Sequence, residues 1–467
     1  MSKLLPADAM KAGESVEVLV IGAGACGLAA ALKANEVGAE ILVLERDASP
    51  SGSTSLSSGF VPAAPTRFQR ALGIADSHDA FAADIQRKAR GEVDEAFLRR
   101  VVAASAPTIE WLADAHGFDW LVLDDFLYPG HSKHRMHALP EKTGASLEAR
   151  LLAAAERQAV PIATEGHATA LYADADGKIV GLQVTRPGGA SEDLACRALV
   201  LACNGYGGNP ALVRRHIPEM AEAPYFGHPG NQGDAVLWGQ ALGAATRHLG
   251  GCQGHGSVAH PHGIPITWAL MMEGGIQVNT AGQRFSNEHE GYSEQSVRVL
   301  AQDGGIAWNV YDRRLHEHGL AFPDYREAVS MGAIREAPSP EGLAAEIGVP
   351  AAPLATTLAQ VADCHAGKAE DPFGRDFTVR PLLTPPYHAV KVTGALFHTQ
   401  GGLVVDDAAR VCRASGRPLL PNLFAGGGAA CGVSGPAVWG YLSGNGLLTA
   451  LTLGAIAGES AAKLGRA

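Results

Sequence analysis

Cysteine, aromatic side chains and clustered positive charge are all scarce in this chain. Seven cysteines (Cys26, Cys196, Cys203, Cys252, Cys364, Cys412 and Cys431) are scattered and odd in number. No pair has CxxC or metal-ligand spacing, and no CxxCH haem attachment site occurs. A reducing, cytoplasmic compartment is the simplest expectation. The formal net charge is -11 and no Lys/Arg-rich run is present, which argues against nucleic acid or anionic membrane as the main partner. Residues 1–15 lack an apolar core, so no secretory signal is expected. The longest apolar stretch, Leu447 to Ala457, is too short to span a bilayer and reads as a buried helix. Internal repeats and low-complexity tails are also lacking.

Glycine, in contrast, is abundant at 57 residues, and it clusters beside apolar runs. That pattern points to tight turns against a ligand. At 467 residues two domains are expected. Val16 to Ile21 reads as a buried parallel strand, Cys26 to Val37 as a helix and Glu40 to Leu44 as a second strand. Phe81 to His116 reads as largely helical and Ser146 to Gln158 as an amphipathic helix. Strands follow at Leu182 to Val184 and Ala198 to Ala202. From Gly250 to Pro386 the sequence is richer in His, Pro and Gly and poorer in long apolar strands, with Pro338 to Pro353 its most loop-like piece. Strand-turn patterns return at Thr393 to Val405 and Asn422 to Gly428, before a closing helix. The expected fold is α/β: a discontinuous Rossmann-like domain (residues 1–250 and 390–467) with an inserted α+β cap (251–389).

Gly22-Ala23-Gly24-Ala25-Cys26-Gly27 is a GxGxxG between a strand and a helix. Gly22 permits the turn, Gly24 lets backbone approach a pyrophosphate, and Gly27 allows close helix–strand packing. The helix start offers amide donors and the positive end of its dipole. Glu45, roughly 20 residues on at the end of the next strand, suits ribose hydroxyls. This context points to a bound dinucleotide, and a second such fingerprint for NADPH is not found.

The run Gly52-Ser53-Thr54-Ser55-Leu56-Ser57-Ser58-Gly59 resembles the flavin-contacting segment of the fumarate reductase and 3-ketosteroid dehydrogenase superfamily of FAD proteins. Further elements are similar: Leu199 to Asn209 (LVLACNGYGGN), Gly230 to Asp234, His398 to Gly402 (HTQGG), Leu423 to Gly428 (LFAGGG) and Ser443 to Leu447. The resemblance implies FAD contacts at Gly22, Ala23, Gly24, Ala25, Cys26, Gly27, Glu45, Arg46, Ser53, Thr54, Ser55, Ser58, Gly59, Ala168, Ala202, Cys203, Asn204, Gly205, Asn209, Asp234, Gly427, Gly444, Asn445 and Leu447. Gly428 stands where the family often has Glu, and Cys203-Asn204 replaces a commoner pair. The His that attaches flavin covalently in succinate dehydrogenases has no counterpart near Ser53 to Ser58, so the comparison implies non-covalent FAD.

Fumarate reductases grip a dicarboxylate with two Arg and two His. The His positions match His255, in Gln253-Gly254-His255, and His398. Counting on from Arg284-Phe285-Ser286-Asn287-Glu288 gives Tyr292 at the first Arg position, and Tyr441 stands at the second. Arg binds carboxylate bidentately and stays charged, whereas Tyr does neither. The resemblance is therefore nearer to the 3-ketosteroid dehydrogenases. It implies desaturation beside a carbonyl: Tyr441 and an amide near Gly444 polarise the ketone, Tyr292 takes the α-proton, and flavin accepts the β-hydride. A phenol, with an ordinary pKa of about 10, needs help as a base, from His255, His398 or another group. An external electron acceptor or donor is implied.

Tyr292 and Tyr441 also read as packing residues, and His398 as a structural hydrogen-bonder. His255, with His260 and His262, lacks regular spacing and an accompanying acid cluster, so no metal is expected. Trp268 and Trp439 are the tryptophans expected to wall a pocket. Three other functions stay open: an activated-alkene reductase, a carboxylate-specific enzyme drawing on Arg135, Arg284 or Arg298, and a flavin carrier without turnover. The inserted cap argues against the last.

Overall fold

The computed structural model describes residues 3–11, 13–413 and 422–464. The chain divides into two compact units, one of residues 1–217, 227–252 and 398–467, the other of 218–226 and 253–397. Residues 218–226 and 390–397 thus fall outside the unit in which the sequence placed them, and residues 251–252 fall within the first.

The first unit is built on an eight-stranded sheet. Its order is Lys3–Pro6, His167–Ala173, Ile179–Thr185, Ser191–Leu201, Ser15–Ile21, Ile41–Leu44, Ile162–Ala163, with Leu423–Ala425 also paired to Ser191–Leu201. The central pairs are parallel, with Leu19 opposite Leu42 and Leu199, and Val20 opposite Val43 and Val200. Parallel strands are covered on both faces, which is why Val18 to Ile21, Ile41 to Leu44 and Leu199 to Leu201 read as unbroken Val/Ile/Leu runs. Val18, Val20, Val43 and Val200 turn to one face, against the buried Leu28, Leu32 and Leu451. Leu19, Leu44, Leu199 and Leu201 turn to the other. Helix Ala25–Glu36 packs on the closing helix Asn445–Lys463. Val61–Pro62, Met136–Ala138 and Leu121–Val122 form a small separate sheet.

The second unit holds a six-stranded sheet in the order Ile264–Pro265, Cys252–Ala259, Tyr387–Thr399, Ile306–Asp312, Ile276–Val278, with Ile334–Ala337 also on Tyr387–Thr399. Strands are thus more developed here than expected. The stretch Pro338 to Pro353, expected as loop, is mostly helical: Pro340–Ile347 and the start of Ala351–His365. Ser339 Oγ caps the first helix on Gly342 N, Pro340 occupies its first turn, where a missing N–H costs nothing, and Gly348 ends it at φ 70°. Residues that read as loop punctuation are start and stop signals. Among the described residues no helix is long and apolar enough to cross a membrane.

Candidate functional site

In the first unit, the glycine fingerprint forms the turn between strand Ser15–Ile21 and helix Ala25–Glu36. Gly22 lies at φ 103°, and a Cβ there would stand 2.6 Å from the Ala202 carbonyl oxygen. A Cβ on Gly27 would stand 1.8 Å from the Gly22 carbonyl oxygen, so only glycine lets this helix start against the turn. At Gly24 a Cβ would meet only Thr54 Oγ1, at 3.3 Å, leaving the backbone approachable. Gly24 is the helix N-cap and supplies no side-chain cap. Glu45 accepts from Ala23 N (2.9 Å) through Oε2 and from Asp47 N (3.0 Å) through Oε1. Each carboxylate oxygen keeps a lone pair for a ribose hydroxyl. These residues fit a dinucleotide, with phosphates at the helix start and ribose at Glu45.

Ser53 to Gly59 is held from several directions. Thr54 Oγ1 accepts from Ala25 N (3.0 Å), tying this segment to the fingerprint. Ser53 Oγ accepts from Asn204 Nδ2 (2.8 Å) and from Asn231 Nδ2 (3.1 Å). Asn204, at φ 63°, also accepts from Gly205 N (2.8 Å). Ser55 Oγ donates to Gly52 O (2.9 Å), Ser58 is exposed, and Gly59 is buried at φ 71°. Asn231, within the Gly230-to-Asp234 motif, was not among the expected contacts. Nor was Glu148, from helix Gly144–Arg157, which burial pushes up to about 7, with the nearby Ser55 hydroxyl opposing and the Glu45 carboxylate adding to the rise.

Other expected contacts have work of their own. The Arg46 guanidinium donates to Gly230 O (3.0 Å) and stands 3.2 Å from His228 Nδ1. Asn209 Oδ1 caps helix Pro210–His216, accepting from Ala211 N and Leu212 N. Asp234 begins helix Asp234–Ala241 after Gly233 at φ 85°. Ala168 is buried beside an irregularity in its strand pairing, and Ala202 N donates to Ile21 O (3.0 Å). Gly427, at φ 56°, packs against Cys26, and Leu447 packs on the core near the start of the closing helix. Burial pushes the thiols of Cys26 and Cys203 up to about 12, so both are inert.

Tyr441 and His398 meet in this same unit. Tyr441 is buried, with its ring edge-on to His398 at 5.4 Å between centroids. Gln400 Nε2 lies 2.8 Å from His398 Nδ1, Gln400 Oε1 accepts from Ser434 Oγ (2.8 Å), and Ser434 Oγ accepts from Asn445 Nδ2 (3.1 Å). This polar chain joins the HTQGG element to the start of the closing helix. Burial lowers His398 to about 4, so the ring is neutral at pH 7. Trp439 lies under the Arg90 guanidinium, 4.3 Å from the ring centroid.

In the second unit, Tyr292 and His255 meet. Tyr292 opens helix Tyr292–Leu300, and its ring stacks on His255 at 5.1 Å. Phe397 stacks on His255 at 5.2 Å, and Trp268 stands edge-on at 6.2 Å. His255 Nδ1 accepts from Ser257 N (3.2 Å), which puts the proton on Nε2. Burial lowers His255 to about 4, so it too is neutral and offers an Nε2–H donor. Each phenol thus lies against an uncharged imidazole.

The family profile described as "FAD binding domain" matches residues 17–447. The chain belongs to the FAD-binding-domain family. It is 28% identical over 465 residues to a probable fumarate reductase, Ifc3, of Shewanella frigidimarina, covering 99% of this chain and 77% of that protein. Among solved structures it resembles the open conformation of a flavocytochrome c3 fumarate reductase, with TM-score 0.81, 27% identity, and coverage of 98% of this chain and 80% of that one. It also resembles 3-ketosteroid-delta4-(5alpha)-dehydrogenase from Rhodococcus jostii RHA1, with TM-score 0.78, 25% identity, and coverage of 99% and 100%. The protein is an FAD-dependent oxidoreductase.

Three arginines considered for carboxylate binding in this flavoprotein are committed elsewhere. Arg135 is fully buried between Asp76 and Asp84. Arg284 pairs with Glu288 (2.8 Å) and Asp371 (2.5 Å). Burial favours a protonated Glu288, but Arg375 and Arg284 override it and hold the carboxyl down at about 2. Arg298 pairs with Glu290. No group of three metal-ligating side chains occurs among the described residues.

Proposed function

We propose that this flavoprotein acts on the C–C bond next to a ketone, introducing a C=C bond in a cyclic or steroid-like substrate. The observation that carries the reading is the pair of phenol–imidazole contacts, Tyr441 with His398 and Tyr292 with His255, with both imidazoles neutral. Uncharged donors suit a ketone oxygen; a dicarboxylate calls for guanidinium or imidazolium. The commitment of Arg135, Arg284 and Arg298 to acids supports the same preference.

In this account Tyr441 OH and an amide near Gly444 hold the ketone oxygen and stabilise the enolate charge. Tyr292 takes the proton from the α-carbon, its own phenol proton having passed to solvent beforehand. Bound FAD supplies the acceptor for the hydride leaving the β-carbon. His255 and His398 donate through Nε2 and orient the phenols by contact. An external acceptor then takes the two electrons. A reducing, cytoplasmic setting belongs to the proposal and rests on seven free cysteines.

The likeness to fumarate reductases favours a second reading, the same bond chemistry run as reduction of an activated alkene. Tyr292→Phe and Tyr441→Phe test the assignment. Each should keep its FAD while turnover of a saturated ketone falls about 10²-fold or more, the scale of lost acid–base help. Unchanged turnover in both variants would remove the two tyrosines from the chemistry.

A further inference from the structure

A buried polar chain in the first unit begins at two carboxylates and ends on the backbone carbonyl of Ser443, two residues after Tyr441. Asp76 receives Arg135 Nε (2.9 Å) and Nη2 (3.1 Å), and Asp84 receives Arg135 Nη1 (2.5 Å). Asp84 is further fixed by Ser132 N (2.7 Å) and Ser132 Oγ (2.8 Å). The same Arg135 Nη1 stands 3.2 Å from His131 Nδ1, and His131 Nε2 stands 3.0 Å from Ser443 O. Chemistry allows this chain only one polarity. A guanidinium only donates, so His131 Nδ1 must accept; a carbonyl only accepts, so Nε2 must carry the proton. Burial first, then Arg135, lowers His131 to about 4, so this neutral tautomer persists at pH 7.

The Ser443–Gly444 peptide is planar and trans, so its N–H points opposite to its carbonyl. Anchoring the Ser443 oxygen therefore aims the Gly444 N–H away from the buried cluster. Gly444 lies at φ 85°, and a Cβ there would stand 2.5 Å from Pro62 Cδ. Asn445 Oδ1, in a fully buried residue directly after this peptide, has no hydrogen-bond partner among the described residues. Backbone donor and orphaned acceptor thus occur together, three and four residues after Tyr441.

We propose that His131 is a positioning residue for substrate: by donating to the Ser443 carbonyl it locks the adjacent peptide so that the Gly444 N–H meets the ketone oxygen held by Tyr441. The inference rests on the ketone reading above. His131 touches no reacting atom and acts only through this peptide.

Wild type, His131→Leu, His131→Gln and Tyr441→Phe, each loaded with FAD, are compared for kcat and KM on cyclohexanone and a saturated 3-ketosteroid with a dye acceptor. Glutamine can accept from Arg135 through Oε1 and donate to Ser443 through Nε2; leucine can do neither. His131→Leu should lower kcat about 10²-fold, the scale for a lost oxyanion donor, with KM little changed and FAD content intact. His131→Gln should recover most of that loss. Combined with Tyr441→Phe, the His131→Leu loss should shrink, since both groups serve one oxygen. Wild-type kcat in His131→Leu overturns the inference, as does a His131→Gln variant no better than His131→Leu. If His131→Leu does not fold, low kcat in a folded, FAD-loaded His131→Gln overturns it equally. Loss in Tyr441→Phe without loss in His131→Leu sinks the inference alone. A wild type inert toward both ketones removes the ketone reading and the inference with it.

Discussion

Glu148 shows how one side chain can make the cofactor region sensitive to pH. Burial raises its carboxyl from the ordinary 4.5 to about 7. Between those values the folded protein holds a proton that the unfolded chain sheds. Stability is full below pH 4.5 and is lost as pH rises through about 7. The cost at pH 8 is at most about 3 kcal/mol. Glu148→Gln should therefore melt several degrees above wild type at pH 8, with the two curves meeting near pH 4.5; thermal melts across pH check this. Equal melting at both pH values would mean that Glu148 ionises without penalty. Glu45 was legible in the sequence because fingerprint spacing announces it. Glu148 was not, since a carboxylate on an amphipathic helix reads as solvated until its packing is seen. His131 was hidden for a related reason: its partner Ser443 lies 312 residues away, and no local pattern encodes such a pairing.

At the scale of elements, the fingerprint helix depends on the closing helix. A Cβ on Gly454 would stand 2.4 Å from Cys26 O, and one on Gly458 would stand 1.9 Å from Ala30 O. The two helices approach through glycines one turn apart, against the Ala-rich face of Ala25–Glu36. Gly458→Val should lower the melting temperature by about 5 °C or more and weaken FAD binding, because backbone rather than a side chain must yield. Glu459→Val, one residue on at an exposed site, is the control and should change little. Retention of FAD and melting temperature in Gly458→Val would show that the contact is not needed. The apolar run of this helix was readable; its glycine-lined contact face was not. The helices after Ser339 and Pro350 were missed for another reason. Proline at the start of a helix and glycine at its end are the same letters that punctuate loops. Strand Ser15–Ile21, with its buried apolar run Val18 to Ile21 and following glycine, carried no such ambiguity.

For the whole molecule, the first unit contains the glycine turn that fits a dinucleotide, together with Tyr441 and His398, and the second contains Tyr292 and His255. The glycine turn was legible because glycine placement is forced by close backbone approach. The substrate side was less so, because a tyrosine announces neither its contacts nor its reaction. The ketone reading is tested most directly by mixing oxidised, FAD-loaded protein with cyclohexanone, a saturated 3-ketosteroid, or succinate in the absence of oxygen, and following the yellow absorbance. The account predicts bleaching by a ketone and none by succinate. Bleaching by succinate alone, or no bleaching while the dithionite-reduced protein is reoxidised by fumarate, would contradict it.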